Sequence, residues 1–162
     1  MWELAQVNVG YTLGPMDSEV MRAFADLLDP VNALADAAPG FVWRLQSDEG
    51  DATALRGSDD ALLFNMSTWT SLETFAEFAF RGLHAEVMRR RREWFSVMRE
   101  AYTCCWWVPA GHRPTIAEAE ERLAHLREHG PTPLSFTVRK PFPAPDGVAV
   151  ESREDWLCGS AS

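Results

Sequence analysis

Two side chains with proton-transfer and anion-binding chemistry lie on one apolar face of a predicted helix. At about 100° per residue, the apolar stripe of this helix consists of Ala76, Phe80, Leu83, Val87, Trp94 and Met98. His84 lies about 60° from the centre of the stripe, and Arg91 lies within it. An imidazole exchanges protons near neutral pH or binds haem iron, and a guanidinium clamps an enolate or a carboxylate. Structural roles stay open for both: a bond to a backbone carbonyl, or extension past the edge of the core.

Polar side chains also recur on neighbouring predicted strands. Gln6 and Asn8 share a face of the first strand. Arg44 lies on the second strand, and Asn65 shares a face of the third with Trp69. Because buried amides need hydrogen-bond partners, these residues are either structural or form the polar floor of a pocket. Such a floor orients a substrate carbonyl or stabilises an oxyanion.

The chain is rich in aromatic side chains, with seven tryptophans and nine phenylalanines. They indicate a core with a subunit interface, a pocket for a flat apolar ligand, or both. The predicted pocket adds Trp43, Phe75, Phe80 and Trp107 to the polar residues of the strands.

Hydrophobic periodicity and turn residues predict the elements that position these side chains. The predicted strands are residues 3–11, 41–46, 61–69 and 101–108, with a short edge strand at 136–142. The predicted helices are residues 18–37, 71–99 and about 115–130. We expect a kink or break near Asp29, because Pro30 follows it. Thr70 with Glu73 forms a capping-box signature before the second helix.

This order predicts an α+β fold of ferredoxin-like β-α-β-β-α-β topology with an added C-terminal helix. The strands carry apolar residues on both faces: Phe64 and Met66 on one, Leu63 and Trp69 on the other. A sheet that is apolar on both sides must cover both, and two such sheets achieve this by pairing as a dimeric α/β barrel. We therefore expect a homodimer. One domain is predicted over residues 1–143, followed by a tail at 144–162.

Composition limits the classes of partner. The formal net charge of −9 and the pI near 4.9 argue against nucleic-acid binding and against adhesion to anionic membranes. No apolar run approaches the roughly 20 residues that span a bilayer, and the N-terminus lacks the pattern of a signal peptide. Three cysteines do not form a disulfide framework. The expected compartment is the cytoplasm.

Two further groups of residues have simpler interpretations. His125 and His129 are four apart, but no third ligand has suitable spacing, so we expect no metal site. The run from Arg89 to Arg92 alternates with glutamates, a pattern typical of a solvated helix face. Whether Arg89 or Arg91 faces the pocket is left open by the pattern, since Gly82 can reset the phase of the helix.

Four segments carry a family resemblance: residues 2–8, 29–36, 39–45 and 106–112. Together they resemble the bacterial family catalogued as domain of unknown function 3291, within the dimeric α/β-barrel superfamily. The resemblance covers about residues 2–145. It implies the ferredoxin-like fold and the dimer, and it brings no reaction with it.

A looser similarity links the chain to the antibiotic-biosynthesis monooxygenases of the same superfamily. Those enzymes oxidise aromatic polyketides without metal or flavin and present Asn, Trp, Tyr and Arg to the substrate. Asn65 and Trp69 match that pattern, Phe75 replaces the tyrosine, and Arg89 has the spacing of the arginine. The superfamily also contains haem proteins, for which His84 is the candidate axial ligand.

These observations predict a small tailoring enzyme of the cofactor-independent monooxygenase type, acting on an apolar aromatic or polycyclic molecule. His84, Asn65, Trp69 and Arg91 are the predicted catalytic residues. The predicted substrate-binding residues are Gln6, Asn8, Trp43, Arg44, Phe75, Phe80 and Trp107. No cofactor is expected. The alternatives are a non-redox cyclase or isomerase in the same pocket, a haem protein with His84 as axial ligand, and a binding module without turnover.

Overall fold

The structure, a computed structural model, describes residues 1–47, 50–53 and 55–147. Its strands are β1 (Trp2–Tyr11), β2 (Phe41–Arg44), β3 (Leu62–Trp69) and β4 (Thr103–Pro109). Its helices are α1 (Arg22–Ala37), α2 (Leu72–Ala79), α3 (Gly82–Arg89) and α4 (Ile116–His129), with short 3₁₀ turns at Glu19–Met21 and Arg91–Glu93. Most of the predicted tail lies outside the described residues, so the domain boundary stays a prediction.

The four strands form one sheet in the order β2-β3-β1-β4, and every neighbouring pair is antiparallel. β1 and β2 therefore run parallel with β3 between them, which is the ferredoxin-like arrangement. The predicted β-α-β-β-α-β order is confirmed, and α4 is the added helix. In the centre of the sheet, Gln6 lies opposite Ser67 and Asn8 lies opposite Asn65.

Of the predicted kink or break near Asp29, the break is wrong, because α1 runs unbroken from Arg22 to Ala37 with Pro30 inside it. Proline removes one backbone donor and crowds the carbonyl four residues earlier. Pro30 lies on the exposed side of α1, where water can bond that carbonyl.

The predicted helix 71–99 is divided into α2, α3 and a 3₁₀ turn. Gly82, with φ at +62°, supplies the left-handed residue at which the chain changes direction between α2 and α3. The N-cap of α2 is Ser71, whose side chain accepts from the Thr74 N–H, so the predicted cap at Thr70 is wrong by one residue.

The predicted edge strand at 136–142 is also wrong. Only Phe136 pairs with β4, through N–H···O bonds of 2.9 and 2.7 Å with Cys105 in the two directions. A turn in which the Lys140 N–H bonds the Thr137 carbonyl then leads the chain away from the sheet. Proline at positions 141 and 143 cannot donate to a ladder, which prevents pairing from resuming.

The two faces of the sheet have different covers. α1, α2 and α3 lie over the face that carries Leu4, Trp69 and Leu63. α4 packs on the opposite face, where Leu123 and Leu126 join a cluster of strand residues: Ala5, Val7, Val9, Phe64, Met66, Cys104, Trp106 and Val108. The second apolar face is thus covered in part by the chain itself. This weakens the argument from the bare face, and the homodimer stays a prediction.

No helix among the described residues is long and apolar enough to cross a bilayer.

The packing of α4 generates a stability prediction. Leu123 is 2% exposed within the cluster beneath α4, whereas Leu134 is 58% exposed. Leu123→Ala leaves a cavity and is expected to lower the free energy of unfolding by about 2–5 kcal/mol. Urea denaturation followed by tryptophan fluorescence measures it. Leu134→Ala is the matched control and should change stability by less than about 0.5 kcal/mol; equal losses in both variants would contradict the placement of α4.

Candidate functional site

Three cavities lie between the sheet and the helices α1–α3. Their volumes are about 80, 70 and 500 Å³. The first two lie beneath α1, and the largest lies between β1, β4, α3 and residues 137–139. His84 is the one side chain that lines all three, so the described cavities meet at this imidazole.

The orientation of His84 follows from the break between α2 and α3. α2 ends at Ala79, so the Ala79 carbonyl has no partner inside the helix. His84 Nδ1 lies 2.8 Å from this oxygen and donates to it. Nε2 is therefore the unprotonated nitrogen of the neutral ring. The Phe78 ring lies 4.8 Å from the imidazole, centroid to centroid.

Burial lowers the pKa of His84, and the bond to the Ala79 carbonyl opposes that shift. Desolvation disfavours the imidazolium, so the neutral ring predominates at pH 7. A neutral imidazole whose Nδ1 is fixed by a carbonyl and whose side chain lines cavity space has the properties of a general base.

Amide and hydroxyl groups form a network on the sheet beneath His84. Gln6 Nε2 donates to Ser67 Oγ at 2.7 Å and to Asn65 Oδ1 at 3.3 Å. Trp69 Nε1 donates to the same Ser67 oxygen at 2.8 Å. The Trp69 indole N–H is thus already used, and what this side chain offers the second cavity is its ring.

Arg91 is held against the floor of the first and third cavities. Its Nη1 donates to Asn8 Oδ1 at 3.2 Å and its Nη2 donates to the Val9 carbonyl at 2.6 Å. The guanidinium also stacks on Phe95 and Tyr102, 4.8 and 4.3 Å from the ring centroids. Burial lowers the pKa of Arg91, but an arginine keeps its charge at neutral pH.

Gly10 leaves the space that Arg91 occupies. A Cβ at this position would lie 2.8 Å from Arg91 Nη2 and 2.6 Å from Phe95 Cδ1. The strand must carry a glycine here for the guanidinium to reach the Val9 carbonyl.

The bonds fix which end of each amide faces a ligand. Asn65 Oδ1 accepts from Gln6, and Asn8 Oδ1 accepts from Arg91. Each oxygen thus accepts one bond, which orients the amide, and the NH₂ groups of Asn8 and Asn65 are the donors of these side chains. The arrangement is suited to binding an oxyanion.

Other predicted residues fall at the cavity walls. Phe75 lines the second and third cavities, and Phe80 lines the third. Arg44 lines the second cavity and is tied to Asp36 of α1 by a 2.7 Å ion pair and to the Gly50 carbonyl at 2.6 Å. It therefore joins β2 to α1 and the following loop.

Two predicted pocket residues line none of the three cavities, and their placement corrects the prediction. A β-bulge between Phe41 and Trp43 puts these residues on opposite faces, so Trp43 packs in the cluster beneath α4. Trp107 lies on the helix-covered face, but the C-terminal segment covers it: its indole N–H donates to the Phe142 carbonyl at 2.8 Å, and Phe136 packs beside it.

Arg89 and Arg91 both line the largest cavity, but in different positions. Arg91 is half-buried and anchored to the floor, whereas Arg89 is exposed at the wall. α3 ends at Arg89 and a 3₁₀ turn begins at Arg91, so the two side chains do not keep the spacing of a regular helix, and both line the same cavity.

The sequence pattern missed several lining residues. Phe24 and Asn32 of α1 line the first two cavities, and Phe78 of α2 lines the second. Phe24, Leu28, Val31, Asn32 and Ala35 have the i, i+3, i+4 spacing of one helix face. A polar Asn32 within that apolar stripe was the signal that could have identified it.

His125 Nε2 lies 2.8 Å from Thr132 Oγ1, so this histidine links α4 to the segment that follows it. Among the described residues, no three His, Cys, Asp or Glu side chains are grouped so that they could hold a metal ion.

Among solved structures, the chain is similar to SnoaB, a cofactor-independent oxygenase from Streptomyces nogalater, with 17% sequence identity and a TM-score of 0.43. The alignment covers 72% of this chain and 98% of the SnoaB chain. No curated protein matches the chain. The family model described as domain of unknown function (DUF3291) matches residues 3–152. Since that match spans most of the sequence, the protein belongs to the DUF3291 family.

Proposed function

We propose that the protein is a tailoring enzyme of the cofactor-independent monooxygenase type, which oxidises an apolar aromatic or polycyclic natural-product intermediate. The observation that carries the proposal is His84: a neutral imidazole, held by the Ala79 carbonyl, that lines the same cavities as the amide side chains of the sheet. A base opposite oxyanion donors is what carbon–hydrogen activation next to a carbonyl requires.

The substrate in this mechanism carries a CH₂ group whose acidity is raised by a conjugated carbonyl and an aromatic ring. His84 Nε2 removes a proton, and the substrate becomes an enolate. The NH₂ groups of Asn8 and Asn65 donate to the enolate oxygen, and the positive charge of Arg91 supports them. The electrons for oxidation come from the enolate itself.

The oxidation balances with dioxygen alone. The enolate carbon transfers electrons to O₂ and forms a carbon–oxygen bond, giving a hydroperoxide after proton return from His84. Loss of water from the hydroperoxide leaves a carbonyl, so CH₂ and O₂ become C=O and H₂O. The protein's residues supply the base, the anion donors and an enclosure with aromatic walls, among them Phe24, Phe75 and Phe78.

A non-redox cyclisation or isomerisation would use the same base and the same donors, and it differs in needing no oxygen. Oxygen uptake therefore separates the two reaction types.

Replacement of the base gives the first test. His84→Gln keeps a polar side chain of similar reach but removes the basic nitrogen, and it is expected to lower oxygen uptake with an anthrone substrate by about 100-fold or more. His125→Gln, on α4, is the control and should keep the wild-type rate. Full activity in His84→Gln would contradict the proposal.

The pH dependence gives a second test. Below the pKa of His84 the imidazole is protonated and cannot accept a proton, so the rate must rise as pH increases through that pKa. Because burial lowers the pKa, the rise should lie below the ordinary histidine range. A profile of log kcat/KM against pH measures it; a rise centred above pH ~6.5 would contradict His84 as the base.

A haem titration tests the alternative in which Nε2 binds iron. The proposal predicts no saturable shift of the Soret band that depends on His84. A shift that saturates at about one haem per chain and is lost in His84→Ala would replace the cofactor-free mechanism with a histidine-ligated haem protein.

A further inference from the structure

The largest cavity is lined by four arginines and by no described aspartate or glutamate. Arg89, Arg91, Arg92 and Arg139 contribute to its wall. This is unusual in a chain with 24 acidic and 15 basic residues and a net charge of −9. The cavity is a local concentration of positive charge on an otherwise acidic protein.

Two acidic residues on the helices next to this wall are paired with arginines outside it. Glu93 is bound to Arg90 at 2.7 Å, and Glu77 is bound to Arg81 at 2.8 Å. Neither Arg90 nor Arg81 lines the cavity. These two carboxylates are therefore held by arginines other than those of the cavity wall.

The arginines approach the cavity from two sides. Arg89 and Arg92 flank the anchored Arg91 at the end of α3, and Arg139 comes from the segment that follows α4. Arg91 is already committed to Asn8 and the Val9 carbonyl. Arg89 and Arg92 are exposed and can turn toward a ligand at the mouth.

The remaining wall suits an aromatic skeleton. Phe75, Phe80 and Tyr102 line the same cavity, and its volume of about 500 Å³ is in the range of sites for small organic ligands. His84 lies on its wall as well. One molecule can thus place an apolar ring system against the aromatic side chains and an anionic group at the arginines.

We propose that this cavity selects aromatic substrates that carry a carboxylate, which Arg89, Arg92 and Arg139 bind at the mouth. Planar guanidinium groups match a carboxylate in charge and in geometry. The inference rests on the proposed function only in placing the reacting carbon at His84. The three arginines select the substrate, and the residues of the proposed reaction, His84 among them, carry out the chemistry.

Equilibrium binding tests the selection without turnover. Anthracene-2-carboxylate and the neutral anthracene-2-carboxamide have the same skeleton, and their fluorescence reports binding. Wild-type protein should bind the carboxylate about fivefold or more tightly than the amide, and the preference should fall as salt rises. The triple variant R89Q/R92Q/R139Q should bind the two probes equally.

Arg81→Gln is the matched control, because it removes an exposed arginine outside the cavity and changes the net charge. It should keep the preference for the carboxylate. Equal binding of both probes by the wild type, a preference that survives in the triple variant, or its loss in Arg81→Gln would each overturn the inference.

His84→Gln separates this inference from the proposed function. That variant should keep the carboxylate preference while losing oxygen uptake. In the wild type, absence of oxidation with the carboxylate preference intact would count against the proposed chemistry only. Oxidation without the preference would count against the arginine site only.

Discussion

The hydrogen bond between His84 Nδ1 and the Ala79 carbonyl is the contact on which the arrangement of the site depends. It exists because α2 stops at Ala79 and leaves that oxygen unpaired within the helix. Gly82 then starts α3 in a new direction and returns His84 toward the end of α2. If the ring turned away, a partly buried carbonyl would lose its partner, which costs about 1–3 kcal/mol. The bond therefore selects one tautomer and one orientation.

The register of the sheet likewise fixes the orientation of the polar side chains beneath this imidazole. Side chains that point to one face of β1 and β3 meet in register, so Gln6 faces Ser67 and Asn8 faces Asn65. Hydrogen bonds from Gln6 and Arg91 occupy the amide oxygens. The NH₂ groups of Asn8 and Asn65 are the hydrogen-bond donors of these side chains. A helix break and a strand register, two unrelated features of the fold, thus orient the imidazole and the amide groups that line the same cavities.

Much of the fold was predictable from local pattern. Alternating apolar residues identified the four strands of the sheet, and capping residues and glycines placed the start of α2 and both ends of α4 near their observed positions. The failures have particular causes. Pro30 does not break α1 because it lies on the exposed side of the helix. Residues 136–142 do not form a strand because only Phe136 bonds Cys105 before the chain turns away. An alternating pattern indicates that a segment can form a strand. Whether it does depends on a neighbouring strand with which it can pair, and the pattern does not show that neighbour.

The candidate site, too, was predictable only in part. The sequence by itself determined that Gln6 and Asn8 would share a face of the first strand and that Asn65 would share a face of the third with Trp69, because residue spacing fixes faces within one element. Only the tertiary structure decided that His84 bonds Ala79, that a bulge removes Trp43 from the pocket, and that Arg139 joins Arg89 across the largest cavity. Those outcomes depend on contacts between elements distant along the chain or on a single irregular residue, which periodicity does not encode.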